Sequence, residues 1–315
     1  MRIFSTPPNT TTPAHIVALW GQGLIGQAIT RALNDYSKLA MFDCPFPWQD
    51  EWAQTQALDI IQQLIEKQFF ALSTLITPRI IFVWSAGKIG FAATAEEVKT
   101  ELATFNIVLA VARKLAVLLD ISVEFHLLSS AGGLFEGCRY VTEGHTPQPQ
   151  RLYGQLKLNQ EQSLQNAAEI TGHIYRVASV YGVSSPGQRR SLISVLVHHG
   201  IIRRTVTVVG TPATLRDYVH AEDLGHYVAQ KILFPQSIKN QKQLYWMISG
   251  KPSSIFEINQ LVEKTIRRRL YLIYQFDPEN GCDITFSPEL KPHDFNPRAL
   301  QTGISQIYHR WQAFI

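Results

Sequence analysis

His15-Ile16-Val17-Ala18-Leu19-Trp20-Gly21-Gln22-Gly23-Leu24-Ile25-Gly26 is the most informative stretch of this 315-residue chain. Its six leading residues read as a buried strand, the glycines as a tight turn, and 24–33 as the helix that follows. After a strand, Gly21 permits the sharp turn, Gly23 lets the backbone approach a pyrophosphate, and Gly26 brings the helix close to the sheet. The anion then sits at the helix's amino end. The residues Gly21, Gln22, Gly23, Leu24, Ile25 and Gly26 are therefore candidates for binding a dinucleotide.

Working outward, a second strand over 39–42 ends at Asp43, 17 residues after Gly26. A carboxylate at that place accepts both ribose hydroxyls and repels a 2′-phosphate. The next residues, Cys44-Pro45-Phe46, include no arginine, so NAD is favoured over NADP. Helical patterns over 48–75, 94–119 and 153–170 alternate with apolar strands over 79–84, 123–128 and 173–177. The strand over 79–84 ends in Ser85, Ala86 and Gly87, small residues suited to lie against the cofactor; Lys88 after them reads as solvated. Such alternation predicts an α/β, Rossmann-like, doubly wound parallel sheet. The expected organisation is an N-terminal extension over 1–14, a dinucleotide-binding domain over 15–183, and a smaller, mainly substrate-binding lobe over 184–315. In that lobe short strands are expected at 205–209 and 244–248, and a helix at 255–268.

The strand over 123–128 delivers Ser129 and Ser130 to its carboxyl end, the side on which open α/β sheets bind ligands. Tyr153 precedes Lys157 by four residues, so the two share one helical face and the ammonium can stabilise the ionised phenol. With these residues in view, the chain resembles the extended short-chain dehydrogenase/reductase family, in particular its NAD-dependent nucleotide-sugar epimerases and dehydratases. The resemblance runs through the glycine turn, Ser129-Ser130-Ala131-Gly132-Gly133, Tyr153-Gly154-Gln155-Leu156-Lys157, 176–182 with Pro186-Gly187-Gln188, and Arg216-Asp217-Tyr218-Val219-His220-Ala221-Glu222-Asp223.

The resemblance implies that Tyr153 takes a proton from a sugar hydroxyl and that Lys157 tunes the tyrosine and holds the nicotinamide ribose. It implies that Ser130, or Ser129 if the loop is shifted, hydrogen-bonds the oxygen that becomes a carbonyl. Arg216 would meet the substrate diphosphate, with Ser179 lining the substrate site where the family commonly has asparagine. It further implies a homodimer formed through the helices over 94–119 and 153–170, which carry Ala103, Ala110, Ala112, Ala116, Ala167 and Ala168. Inward packing explains these alanines equally well. The chain departs from the family at Trp20, which replaces the first of three glycines spaced G-x-x-G-x-x-G, and at Leu134-Phe135-Glu136-Gly137, where Tyr-Gly is customary. For a second phosphate-binding cation, Lys291 and Arg298 are the candidates.

Composition narrows the remaining classes. The chain is 45% hydrophobic and 17% charged, with a formal charge of +4, which demands no nucleic acid. No apolar run approaches the roughly 18 residues of a membrane span, and the start lacks the apolar segment of a signal peptide. Cys44, Cys138 and Cys282 are odd in number and far apart, which fits a reduced cytoplasmic setting. No metal site is expected, since His220 and the pair His198-His199 lack ligand spacing. The expected function is a nucleotide-sugar 4-epimerase acting on a UDP-hexose-like, nucleotide-diphosphate-linked substrate through a transient 4-keto sugar. The alternatives are an NAD(P)H-dependent reductase of a 4-keto-6-deoxy nucleotide sugar and a non-catalytic dinucleotide sensor. Dehydration is disfavoured because Ala131-Gly132 stands where that chemistry wants an acidic pair.

Overall fold

The computed structural model describes residues 1–7, 14–36, 39–72, 77–87, 89–90, 93–185, 187–235, 239–275, 277 and 281–312, so Lys88 and Pro186 lie outside the described residues. In chain order the elements are β1 (Arg2–Ser5), β2 (His15–Trp20), α1 (Leu24–Tyr36), β3 (Ala40–Asp43), α2 (Glu51–Leu72), β4 (Arg79–Trp84), α3 (Ala95–Leu118), β5 (Val123–Ser130), α4 (Ala131–Leu134), α5 (Leu152–Gln165) and β6 (Ile170–Val177). There follow β7 (Ser179–Tyr181), α6 (Leu192–Ile201), β8 (Val206–Val209), β9 (Leu215–Arg216), β10 (Tyr218–His220), α7 (Ala221–Leu233), β11 (Lys242–Met247), β12 (Ser253–Ser254), α8 (Ile255–Ile266), β13 (Leu272–Gln275) and α9 (Leu300–Gln312).

Seven strands form the main sheet in the order β11-β6-β5-β4-β2-β1-β3. All are parallel from β11 to β2, whereas β1 runs antiparallel to both of its neighbours. Because side chains alternate along a strand, β2 feeds two cores. Val17 and Leu19 pack with Ile29 and Leu33 of α1 and Val228 and Ile232 of α7. Ile16, Ala18 and Trp20 face the opposite core, with Ile61 of α2, Phe105 and Val108 of α3 and Leu164 of α5. Burying each such large side chain contributes about 1.5–3 kcal/mol, so a strand apolar at every position suits only the middle of a sheet covered on both faces. A third core joins α6, α8 and α9 to the β8/β13 pair. There α8 starts at a capping box, in which the Ser254 hydroxyl accepts from the Glu257 amide and the Glu257 carboxylate accepts from the Ser254 amide.

Three boundaries differ from expectation. Within the segment expected as an N-terminal extension, Arg2–Ser5 is β1, wedged between β2 and β3. The strand expected at 244–248 in the smaller lobe is β11, hydrogen-bonded to β6 at the edge of the main sheet, and α7 packs on that sheet's first core. The sheet unit therefore recruits residues well beyond 183. Helix α5 stops at Gln165, because Ala167 and Ile170 turn into the second core. Of the alanines considered for a dimer face, Ala112, Ala116 and Ala167 point inward, while Ala103, Ala110 and Ala168 are exposed. No helix among the described residues is long and apolar enough to cross a membrane.

Candidate active site

The glycine turn occupies the carboxyl end of β2. Gly21 has φ +91°, and a Cβ there would meet the backbone of Ser85 and Ala86; one on Gly26 would meet the Gly21 carbonyl and the Ser85 hydroxyl. Ser85 is a clamp: its hydroxyl donates to the carbonyls of Trp20 and Gly21, at 2.9 and 3.0 Å. Ala86 is buried in the second core beside it, and a Cβ on Gly87 would face the Glu101 carboxylate. Gly23 opens on space, with no neighbouring atom of another element within 4 Å of where its Cβ would stand among the described residues. Leu24 points toward Gly182, and Ile25 packs on the first core.

Above this opening, the side-chain amides of Gln188 and Gln27 donate to the Gln22 carbonyl at 2.6 and 3.2 Å, and Ser185 donates to Gln27 Oε1 at 2.8 Å. Both side-chain polar atoms of Gln22 and the Oε1 of Gln188 are buried without a hydrogen-bond partner among the described residues. Buried polar atoms are normally satisfied. The Gln22 amide nitrogen, a free donor beside an open glycine at a helix amino end, fits an anionic group such as a dinucleotide pyrophosphate, whereas the two amide oxygens are acceptors suited to a hydroxyl.

Asp43 stands elsewhere than its spacing suggested. It ends β3, but β1 separates β3 from β2, which moves it about two interstrand spacings, roughly 9.5 Å, from the strand that carries the turn. Arg2 lies in register between Leu19 and Asp43, and its Nε donates to Asp43 Oδ1 at 2.7 Å. The residue beside the turn strand at this edge is thus an arginine, with the carboxylate behind it.

The catalytic candidates converge where β5 ends. Ser130 caps α4, its hydroxyl accepting from the Gly133 amide at 3.0 Å. The ring of Tyr153 packs against the backbone of Gly133, which places phenol and serine at the same short helix. One turn further along α5, Lys157 is buried, with Nζ 5.9 Å from the Tyr153 ring centroid and donating to Gln160 Oε1 at 3.0 Å.

Ser129 meets α5 one turn beyond Lys157. Its hydroxyl donates to Glu161 Oε1 at 2.5 Å, and Glu161 holds Arg176 through contacts of 2.8 to 3.3 Å. The guanidinium lies over the rings of Phe135 and Trp246, at 5.5 and 5.1 Å. This buried Ser129–Glu161–Arg176 set fastens α5 to β5 and β6. The Ser129 hydroxyl is thus committed to Glu161, and Ser130, which caps the short helix that the Tyr153 ring meets at Gly133, is the serine beside the candidate tyrosine. At the entrance to α5, Arg151 pairs with Glu136 at 2.9 Å, both largely buried.

Arg216 lies in β9, where its Nη1 donates to the carbonyls of Leu215 and Cys282; burial lowers its pKa, while Tyr218, Asp283, Cys282 and Glu136 act in the opposite sense. The influence of Glu136 puts Arg216 within electrostatic reach of the loop that follows α4. The neighbouring Asp217 does not pair with it: its carboxylate accepts from the amides of Ser249 and Gly250 at 2.7 and 2.8 Å, and burial raises its pKa. Ser179 begins β7 and pairs in register with Tyr218 of β10. Lys291 is committed to the Phe295 carbonyl and Arg298 to Asp223.

Sequence reading missed the Gln27–Ser185–Gln188 cover of the turn and the Glu161–Arg176 anchor. The second had a signal: Glu161 continues the Tyr153, Lys157 stripe by one more turn on α5.

Similar architectures occur among solved structures. The UDP-glucose 4-epimerase of Thermus thermophilus in complex with NAD superposes with a TM-score of 0.73 at 15% identity, over 95% of this chain and 99% of that one. The UDP-glucose 4-epimerase of Thermotoga maritima with UDP-glucose gives 0.73 at 15% identity, over 95% and 98%. RMD from Pseudomonas aeruginosa complexed with NADPH gives 0.70 at 17% identity, over 95% and 99%. At these identities the likeness establishes the fold. No curated protein matches the chain. A family description, "NAD dependent epimerase/dehydratase family", matches residues 20–244. That match spans the glycine turn, Ser130, Tyr153, Lys157 and Arg216, and by it the chain belongs to the NAD-dependent epimerase/dehydratase family, enzymes of the extended short-chain dehydrogenase/reductase type.

Proposed function

We propose that the chain is an NAD-dependent 4-epimerase of a nucleotide-diphosphate hexose, UDP-hexose-like, working through a transient 4-keto sugar. The observation that carries this reading is the packing of the Tyr153 ring on Gly133, whose amide the Ser130 hydroxyl caps, with Lys157 buried one turn further along α5. Bound NAD supplies the acceptor and donor of hydride. Tyr153 takes the proton from the C4 hydroxyl and returns it after the keto sugar has turned over. The Ser130 hydroxyl already accepts from Gly133, so its own hydrogen is left to donate to the substrate oxygen. Lys157 uses one ammonium hydrogen on Gln160 and keeps two for the ribose and the phenolate.

Gln22 and Gly23 hold the pyrophosphate, and Arg216 and Ser179 contribute to the sugar-nucleotide side. The exposed Ala103 and Ala110 support a homodimer through α3, and three cysteines outside any disulfide support a reducing, cytoplasmic setting.

One observation favours a second reading, an NAD(P)H-dependent reductase of a 4-keto-6-deoxy nucleotide sugar: Arg2 stands at the ribose edge and neutralises Asp43, which weakens the barrier to a 2′-phosphate. Adding UDP- and dTDP-sugars one at a time to the purified protein separates the two. Reduction of a retained nicotinamide, abolished in Tyr153→Phe with cofactor affinity intact, is expected for the epimerase. Stoichiometric consumption of added NADPH would install the reductase, and turnover within a few-fold of wild type in Tyr153→Phe would remove the tyrosine from the chemistry.

A further inference from the structure

Two runs of basic residues far apart in the chain meet at one end of the α6/α8 core. Arg203 and Arg204 follow α6, and Arg267, Arg268 and Arg269 follow α8, with Lys264 in the last turn of that helix. The two ends lie side by side: Arg268 Nη1 donates to the Ile201 carbonyl at 3.0 Å, the Val206 amide donates to the Tyr271 carbonyl at 2.8 Å, and a Cβ on Gly200 would meet Ile266 and Leu270. All six cations are exposed. Arg268 is used on that carbonyl and Arg269 pairs with Glu263 at 3.1 Å, whereas the other four side chains have no hydrogen bond or ion pair among the described residues. Glu263 is the one carboxylate in 201–206 and 262–275. The whole chain has 29 basic and 25 acidic side chains, so 23 bases stand against 24 acids everywhere else, and the formal excess of +4 is concentrated here. A cation at a helix's carboxyl end complements its dipole, which accounts for one or two residues per helix and not for six together. Arg203 and Arg267 also hold φ of +56° and +54°, where glycine is the unstrained choice. Charge is kept at two positions where backbone geometry alone favours its loss.

We infer that this end of the molecule is a docking surface for an anionic lipid bilayer. The apolar neighbours of the arginines decide the class of partner. Ile202 is 39% exposed, Tyr271 60% and Ile273 57%, and the last two, two residues apart at the start of β13, project from one face. Aliphatic and phenolic side chains among guanidinium groups match the layered chemistry of a bilayer interface, with phosphates outside and acyl carbon beneath. A nucleic-acid backbone would use the arginines and leave the isoleucines idle. Cations spread over two helix ends, instead of lining one groove, fit an anion presented in two dimensions. The cavities of about 450 and 380 Å³ lie elsewhere, the larger around Arg31, His220 and Arg298 and the smaller around His226 and Asp294. Helix α6, about 15 Å long, separates the basic end from the start of the helix, where the Ser194 hydroxyl donates to the Gly182 carbonyl beside Leu24. A docked bilayer therefore leaves the glycine turn open.

The test is co-sedimentation of the full chain with vesicles of phosphatidylcholine alone and of phosphatidylcholine with about 30% phosphatidylserine, in about 50 mM and about 500 mM NaCl. Wild type should bind the phosphatidylserine vesicles at low salt, ignore phosphatidylcholine, and be released at high salt. Each cation lost near such a surface weakens binding about fivefold, so Arg203→Gly with Arg267→Gly should bind about 25-fold more weakly. Glycine relieves the backbone at both positions, so that variant should melt no lower than wild type. Ile202→Ser with Tyr271→Ser should also weaken vesicle binding while leaving retention on heparin unchanged. Failure of wild type to bind phosphatidylserine vesicles overturns the inference, as does equal binding to phosphatidylcholine alone. Undiminished binding by either folded double variant does the same. Capture of polyglutamate or of RNA at low salt, with the vesicles left free, would give the surface to an acidic protein or a nucleic acid instead.

Discussion

Replacing Glu161 by glutamine should loosen the platform on which the tyrosine and lysine stand. The carboxylate is 1% exposed, accepts from Ser129, and is the ion-pair partner of an Arg176 that is itself 8% exposed. Glu161→Gln keeps the shape and removes the charge, leaving a buried guanidinium without its counter-ion. Breaking one side of a buried pair costs about 3–5 kcal/mol. The two rings over Arg176 stay in place and retain their cation–π attraction, about 1–2 kcal/mol in desolvated settings, which argues for the lower end of that range. With an unfolding entropy of about 2.1 cal/mol/K per residue, a loss of about 3 kcal/mol lowers the melting temperature of a chain this long by roughly 4–5 °C. Calorimetry and urea midpoints measure it. The double variant Glu161→Leu with Arg176→Met removes both charges and should recover most of the loss, because a buried pair is weakly stabilising against apolar replacements. A loss under about 1 kcal/mol in the single variant, or a double variant as unstable as the single, refutes the electrostatic account.

Two further outcomes follow from other parts of the molecule. Burial, reinforced by Arg298, lowers the His220 pKa to about 4 from the ordinary imidazole value of 6.5, with Asp223 and Glu222 opposing. The unfolded chain therefore binds the proton first, so the contribution of His220 is complete above about pH 6.5, shrinks as the pH falls and is gone below about 4. At pH 5 the loss is about 2 kcal/mol. His220→Asn preserves an acceptor for the Glu222 amide and removes the titration; its urea midpoint should fall less than that of wild type between pH 7.5 and 5, and equal falls would reject the assignment. At the ribose edge, Arg2→Ala should shift the ratio of NADP+ to NAD+ affinity toward NAD+ by about tenfold. Asp43→Ala should leave NAD+ affinity nearly unchanged. Isothermal titration with both nucleotides decides, and a strong loss of NAD+ binding in Asp43→Ala would restore the direct ribose contact expected from spacing.

Legibility in the sequence tracked locality. The strand, turn and helix around Gly21 to Gly26 were readable because each signal lies within a dozen residues: an apolar run, glycines at fixed offsets, then helical periodicity. Strand β4 came out with its bounds unchanged for the same reason. Tyr153 and Lys157 share a face by helix geometry alone. Choosing between Ser129 and Ser130 needed one thing more, the partner of each hydroxyl: Ser129 is taken up by Glu161 on α5, whereas Ser130 caps α4. Arg2–Ser5 was obscured because only four residues form the strand, and nothing local tells a strand that will join a sheet from an extension.

The surroundings of Asp43 and of the histidine cluster around His126 depend on one thing, which is strand order. A carboxylate 17 residues past the last glycine contacts the ribose only if its strand lies beside the turn strand, and inserting β1 breaks that condition without altering the spacing. Conversely, His173 lies far along the chain from Glu124 and His126; they meet because β5 and β6 are neighbours in a register that sets His126 opposite His173. Sequence distance measures how far the chain travels, and chemistry at a sheet depends on which strands end up adjacent. For this fold the residues on a single helix or turn are thus readable in advance, whereas those contributed by two strands become so only once the order is known. Arg2 is the sharpest instance: it enters the cofactor edge from the opposite direction to every strand that the glycine motif implies.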